Sequence, residues 1–154
     1  EPREDAFARS AEMIANVADT AREDGVLLAL ETLQPMESNL VLTIADARKL
    51  VSMVSHPSVK LMIDNVAVGV AGETPEQWFA EFGNDIVHCH FIDGAPSGHM
   101  AWGDGEYPLE KTLAAFADHG YEGILTAELG GRYLNDPFSA ERRNMSMLER
   151  FLAD

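Results

Sequence analysis

Apolar residues recur at three- and four-residue spacing over residues 5–22, where Phe7, Ala11, Ile14, Ala18 and Ala21 form one stripe of an amphipathic helix. Gly25 stands where that helix would end. A continuous apolar run follows, Val26 to Leu30, and stops abruptly at Glu31. Unbroken runs of this kind suit strands buried on both faces, as in a parallel sheet. After a turn around Pro35, Thr43 and Asp46 make a helix-start signature ahead of Ala47, Leu50 and Val54, and Pro57 ends the helix.

The alternation then repeats. Val59 to Ile63 is a second buried-type strand closed by Asp64. Thr74-Pro75-Glu76-Gln77 is a fuller helix start, with a capping threonine, proline at the first helical position and glutamine at the third. A third strand runs from Ile86 to Ile92. After a glycine-rich stretch, Gly94 to Gly105, a helix carries Leu109, Leu113 and Phe116 and ends at Gly120. The fourth strand, Ile124 to Ala127, ends in Glu128. Asp136-Pro137 opens a last helix with Met145, Leu148 and Leu152 on one face. Strands alternating with helices through short connections predict an α/β fold with a parallel sheet, here four βα units in one domain over 1–154.

Composition narrows the chemistry. The 154 residues carry 26 acidic and 11 basic side chains, a formal charge of −15, which disfavours nucleic acid and anionic membrane partners. No apolar run approaches the ~18 residues of a membrane span, and no signal peptide is visible. A single cysteine, Cys89, allows no internal disulfide and fits a reducing, cytoplasmic setting. The chain begins at Glu1 without an initiator methionine, as expected of a processed product or a piece of a longer chain.

Carboxylates are rare in buried strands, yet three of the four strands finish in one: Glu31, Asp64 and Glu128. The remaining strand has His90 near its end. The separations of 33, 26 and 38 residues each approximate one βα unit, and strand C-termini in a parallel α/β sheet share one face. Three carboxylates and an imidazole at one mouth would repel one another unless a cation sat between them. This oxygen-rich set suits Mn²⁺ first, with Mg²⁺ and Co²⁺ close behind, and is also compatible with Zn²⁺. A lone strand-end carboxylate is commonly a turn former or a helix N-cap, and Asp64-Asn65 fits that reading well.

His88 shares a strand face with His90 but sits one layer deeper, where a hydrogen-bonded core role competes with a functional one. Cys89 points the other way and reads as a small apolar residue. His119 reads as the complement of a helix dipole, His56 as a loop residue, and Trp78, Phe79 and Phe82 as core. The Gly94–Glu106 loop is long for a βα connection and lacks a phosphate-binding glycine pattern. It reads as a mobile cover from which His99 and Trp102 reach a ligand, with a purely structural loop as the alternative.

Several segments together resemble a known superfamily. Glu31-Thr32-Leu33-Gln34-Pro35-Met36-Glu37-Ser38-Asn39, Leu61-Met62-Ile63-Asp64, His88-Cys89-His90-Phe91-Ile92-Asp93, Gly103-Asp104-Gly105, and Gly120-Tyr121-Glu122-Gly123 ahead of Glu128 are similar to the xylose-isomerase-like TIM barrels. Within that group the resemblance is to the sugar epimerases: the ketose 3-epimerases and, through Tyr133-Leu134-Asn135-Asp136-Pro137, fructoselysine 3-epimerase-like proteins. The resemblance implies a metal held by Glu31, Asp64, His90 and Glu128. It also implies proton transfer by Glu31 and Glu128, and substrate contact by Glu37. Two positions depart from the ketose 3-epimerase pattern. Ala67 stands where that group has a substrate-binding histidine, and Pro96 where it has an arginine.

A complete (β/α)₈ barrel takes about 250 residues, so the resemblance makes this chain the C-terminal half, strands five to eight. Half a barrel exposes two sheet edges, which implies pairing with an N-terminal half or with another copy. The implied activity is metal-dependent epimerisation or isomerisation of a small sugar, by proton transfer beside a carbonyl through an enediolate. Rival readings within the fold are an inosose-type dehydratase and a non-catalytic ligand-binding or oligomerisation module. An apurinic endonuclease would need more histidines and a basic groove.

Overall fold

The structure is a computed structural model and describes residues 2–152; the side chain of Leu152, expected on the last helix's apolar face, lies outside the described residues. In chain order the elements are α1 (Arg3–Glu23), β1 (Leu28–Glu31), α2 (Ile44–Val54), β2 (Val59–Asp64) and α3 (Asn65–Val70). They continue with α4 (Pro75–Phe82), β3 (Ile86–His90), α5 (Leu109–Asp118), β4 (Leu125–Thr126) and α6 (Pro137–Leu152). The strands form one parallel sheet in the order β1-β2-β3-β4, as the alternation predicts. The register sets Glu31 beside Met62, Asp64 beside His90, and His90 beside Thr126. The C-terminal ends of all four strands therefore open on one side of the sheet.

The helix starts form as their sequences predict. Thr43 Oγ1 accepts from Asp46 N, and Thr74 and Gln77 form a reciprocal capping box with proline inside the first turn. The core lies between the sheet and its helices. Leu61, Ile63, Cys89 and Phe91 face Leu50, Trp78, Phe79, Trp102 and Phe116 across a dry layer. Phe7 of α1 is fully buried beneath Arg3 and Lys49, whose charged ends lie over its ring.

Two expectations need correction. The Val26–Leu30 run is not buried on both faces: Val26 and Leu27 are 52% and 51% exposed. At the far edge Ile124 is 71% exposed. β1 pairs only with β2 and β4 only with β3, so among the described residues each outer strand has one edge without a hydrogen-bonded strand neighbour. The second correction is α3, a six-residue helix directly after Asp64 that the apolar pattern does not announce.

Candidate metal centre

Each of the four strand ends delivers one side chain. Glu31 ends β1, Asp64 ends β2, His90 ends β3, and Glu128 follows β4 by two residues. One ligand atom from each lies within 4.8 Å of all the others. Two donors on opposite sides of an ion at about 2.0–2.4 Å are separated by about twice that distance, so a single divalent cation spans the group.

The imidazole supplies the test of fit. His90 Nδ1 lies 2.7 Å from Glu31 Oε1, 3.1 Å from Glu128 Oε2 and 3.9 Å from Asp64 Oδ2. It is nevertheless a buried nitrogen that makes no hydrogen bond to any of them. The four ligand atoms converge, and no carboxylate oxygen meets His90 Nδ1 in hydrogen-bonding alignment. Leaving a buried ring nitrogen without a partner costs about 1–3 kcal/mol. A cation at that point satisfies the nitrogen and removes the repulsion among the carboxylates, so the residues present fit a bound divalent metal.

Asp64 serves two purposes. Its Oδ1 accepts from Ala67 N at 2.7 Å and caps α3, which bears out the N-cap reading. Its Oδ2 is the oxygen facing His90. Burial lifts the Asp64 carboxyl to about 6, against the backbone bond from Ala67 and the attraction of His99. Glu31 is also raised, chiefly by burial and further by Glu128, while His90 pulls it down. Both shifts show negative charge crowded into a site of restricted solvation.

A second layer braces this cluster. His99 Nε2 lies 2.9 Å from Glu37 Oε1, and its Nδ1 lies 3.0 Å from Glu128 Oε2. Glu37 in turn accepts from Gln34 N at 2.9 Å. Burial pulls the His99 imidazole down, but the bond to Glu37 and the charges of Asp64 and Glu128 prevail and raise it. The structure thus brings Glu37 and His99 to the edge of the cluster.

Trp102, expected to reach a ligand, does not. It is 2% exposed, its Nε1 donates to Phe91 O at 3.2 Å, and its ring packs on Phe91 with centroids 4.7 Å apart. A large apolar ring gains more from this pocket than from a solvated mouth, so Trp102 anchors the loop to the core. The loop is accordingly tied down rather than held as a mobile cover. Buried Asp93 accepts from the backbone N–H groups of Gly94, Gly103, Gly105 and Tyr107 at 2.8–3.0 Å. A Cβ at Gly105 would collide with the Asp93 carboxylate, which explains the glycine there.

Asn65 was missed for a related reason. Its buried amide exchanges two 2.8 Å hydrogen bonds with the backbone of Ile92, tying the end of β2 to the end of β3. Asp93 and Asn65 contact backbone through tertiary folding, and the only sequence signal is a polar residue at each strand end. The structure also places Cys89, His88 and His119. Cys89 is fully buried among apolar side chains, with its thiol pushed up by burial. His88 packs edge-on against His90, and burial lowers it. His119 bonds Ala115 O at the end of α5 and stacks on Phe79.

Comparison with known proteins identifies the frame that carries this site. A family model described as a xylose isomerase-like TIM barrel matches residues 1–151. The chain belongs to the xylose isomerase-like TIM barrel family. Among curated members, fructoselysine 3-epimerase of Escherichia coli O157:H7 is 34% identical over 149 residues, covering 96% of this chain and 53% of that protein. D-psicose 3-epimerase of Ruminiclostridium cellulolyticum is 28% identical over 122 residues, 79% of this chain and 41% of the other. The chain spans about half the length of the curated relatives it matches. Among solved structures, a 3-keto-D-glucoside 4-epimerase from E. coli superposes with a TM-score of 0.82 at 16% identity, covering 97% of this chain and 56% of that one. A D-psicose 3-epimerase solved in the presence of D-fructose gives 0.72 at 25% identity, over 81% and 42%. Partial coverage agrees with the four-stranded sheet: the barrel family builds eight strands, and four are present here.

Proposed function

We propose that this chain is the C-terminal half, strands five to eight, of a divalent-metal-dependent sugar epimerase or isomerase. The observation that carries the reading is the convergence of Glu31, Asp64, His90 and Glu128 around a buried, unpartnered His90 Nδ1. The epimerase names borne by its relatives support sugar chemistry as the use of that convergence. Glu31, Asp64, His90 and Glu128 would hold the cation, Mn²⁺ by preference, with Mg²⁺, Co²⁺ or Zn²⁺ as substitutes.

When bound, a divalent cation supplies Lewis acidity that lowers the cost of removing a proton beside a carbonyl. The chain's own residues supply the rest. Glu31 and Glu128 approach His90 from the first and last strands of the sheet, so they flank whatever lies at the mouth. One of the two carboxylates takes the proton from the carbon next to the carbonyl, and the other returns a proton to form the epimer. Burial brings Glu31 nearer the operating pH, where a carboxylate is a better base. Glu37 and His99 would bind the hydroxyls of the sugar. The free, buried Cys89 supports a cytoplasmic setting.

The test has two stages. Elemental analysis and Mn²⁺ titration of the purified chain should give one ion per chain. Incubation with ketoses and fructosamines in heavy water should then place deuterium on carbon, and Glu31→Gln should lower that exchange by about 10²–10⁴-fold. An absence of stoichiometric metal would overturn the reading. The half-length coverage of the relatives favours a second outcome, metal binding without turnover until the other strands complete the pocket.

A further inference from the structure

The chain's basic residues are mostly neutralised. Arg3 pairs with Asp46, Arg22 with Asp19, Arg48 with Glu81, Lys49 with Glu4, Lys60 with Asp85 and Arg143 with Asp104. With 26 acidic side chains against 11 basic ones, a guanidinium left without a carboxylate is the exception. Arg142 and Arg150 are two such exceptions: among the described residues neither forms an ion pair. Both line the same groove, about 420 Å³ in volume, between α6 and the Trp102–Asp104 loop.

Helical spacing explains why they meet. Arg142, Ser146 and Arg150 recur every four residues along one stripe of α6, and Ser139, Arg143 and Met147 form the adjacent stripe. The groove wall therefore presents three guanidinium groups, the Asp104 carboxylate and the hydroxyls of Ser139 and Ser146, the latter donating to Arg142 O, beside Met147. Arg143 is held in place by Asp104 at 3.2 Å and by Ser139 Oγ at 3.3 Å. Asp104 is itself engaged by the Tyr133 hydroxyl at 2.7 Å, so its charge is spread over several donors. After Arg143 and Asp104 cancel, the lining retains Arg142 and Arg150, with Glu141 and Glu149 flanking the groove on the same helix. Residues 129–152 carry four basic and three acidic side chains, and Asp104 on the facing loop makes the count even, in a chain that is strongly acidic elsewhere. Glu141 and Glu149 share a neighbouring groove with Arg142 and Ser146, so an anion binds here through direct guanidinium contacts rather than through a positive field.

We infer that this groove binds a phosphate group, carried by a small phosphate ester or by free phosphate, through Arg142 and Arg150 with Arg143 and the Ser139 hydroxyl around it. Guanidinium forks match the oxygens of phosphate, and planar bidentate pairing is the strong form of that contact. The volume exceeds what phosphate alone needs and falls in the range of small-molecule pockets, which leaves room for an organic body over Met147. The groove is built from α6 and the loop after β3, outside the four metal-ligand candidates, and the inference stands independently of the proposed sugar chemistry.

Calorimetric titration of the chain in EDTA, at low ionic strength, tests it with three probes: inorganic phosphate, glucose 6-phosphate and glucose. EDTA removes any contribution from a metal-bound anion. The expected result is saturable one-to-one binding of both phosphates and none of glucose. Tighter binding of glucose 6-phosphate would identify an ester as the ligand, and equal binding would identify the free anion. Replacing two exposed side chains in Arg142→Ala/Arg150→Ala should weaken binding by about tenfold or more without changing the circular dichroism. Glu31→Gln should leave it unchanged. No saturable heat with either phosphate, or equal binding by the double variant, would overturn the assignment.

Discussion

His99 Nδ1 lies 3.0 Å from Glu128 Oε2 while Nε2 of the same ring lies 2.9 Å from Glu37 Oε1. One imidazole on the loop after β3 thus braces residues that follow β1 and β4. Glu128 is the most exposed of the four candidate ligands, its side chain 47% accessible, and has the most freedom to lose. Partners of this kind typically alter metal affinity or activity by 10–100-fold when removed. His99→Ala should therefore weaken Mn²⁺ binding by about tenfold, measured by competition with a metal indicator. His99→Gln, which can still donate to a carboxylate, should recover part of the loss. Unchanged affinity in His99→Ala would show that the brace has no bearing on the centre.

Asp64 separates capping from charge. Asparagine in its place retains an oxygen for Ala67 N but cannot carry the negative charge. Its carboxyl, raised to about 6, binds a proton more tightly in the folded chain than in the unfolded one. The metal-free chain is therefore most favoured by this group below pH 3.8, and that contribution is lost as pH rises through about 6. The whole effect is bounded at about 3 kcal/mol. Asp64→Asn should raise the melting temperature of the metal-free chain at pH 7.5 while reducing Mn²⁺ affinity at least about 100-fold. In the parent, metal affinity should fall as pH drops below about 6, because proton and cation compete for the same carboxylate. A metal-free variant less stable than the parent at pH 7.5, or affinity flat from neutral pH down to 5, would contradict the account.

Asp93 is the residue on which the His99 loop is hung. Removing a buried acceptor from four backbone N–H groups leaves donors that cost about 1–3 kcal/mol each when they stay dry. Asp93→Ala should lower stability by at least about 3 kcal/mol in urea unfolding. Gly105→Ala should behave similarly, because the added methyl meets the same carboxylate. A change under about 1 kcal/mol in both variants would mean that the loop is held by Trp102 alone.

Much of this was legible in sequence wherever the cause is local or periodic. The Thr43 and Thr74 caps, the apolar stripe of α1 and the buried runs before Asp64 and His90 all declare themselves within a few residues. The four convergent side chains were legible because each ends or closely follows a strand, and parallel strands share one polarity. Trp102 was misread because glycines around it suggested a loose loop, whereas its ring fills a hole in the core that only the folded chain creates. The Asp93 and Asn65 hydrogen bonds escaped for the same reason: their partners are backbone groups, which carry no signature of identity. The exposure of Val26, Leu27 and Ile124 depends on which strands stand beside them, and a run of apolar residues reads alike at an edge and at a centre.

Those edges make a last prediction. Val26 and Leu27 beside β1 and Ile124 and Leu125 at β4 are exposed by 36–71%, next to strand edges that lack hydrogen-bonded neighbours. Fully burying one such side chain is worth about 1.5–3 kcal/mol, and with roughly half of each already covered, burying the rest of all four would gain about 3–6 kcal/mol. Association costs about 4–15 kcal/mol of lost freedom, and the −15 charge adds repulsion between copies. The gain reaches only the lower end of that cost, which predicts weak self-association that strengthens with concentration and salt rather than a tight dimer. Sedimentation of the chain across a hundredfold concentration range should show its average mass rising above 16.9 kDa, and Leu27→Lys/Ile124→Lys should hold it at the monomer value. A parent chain that stays monomeric at every concentration and salt would show that its exposed edges do not recruit a second copy.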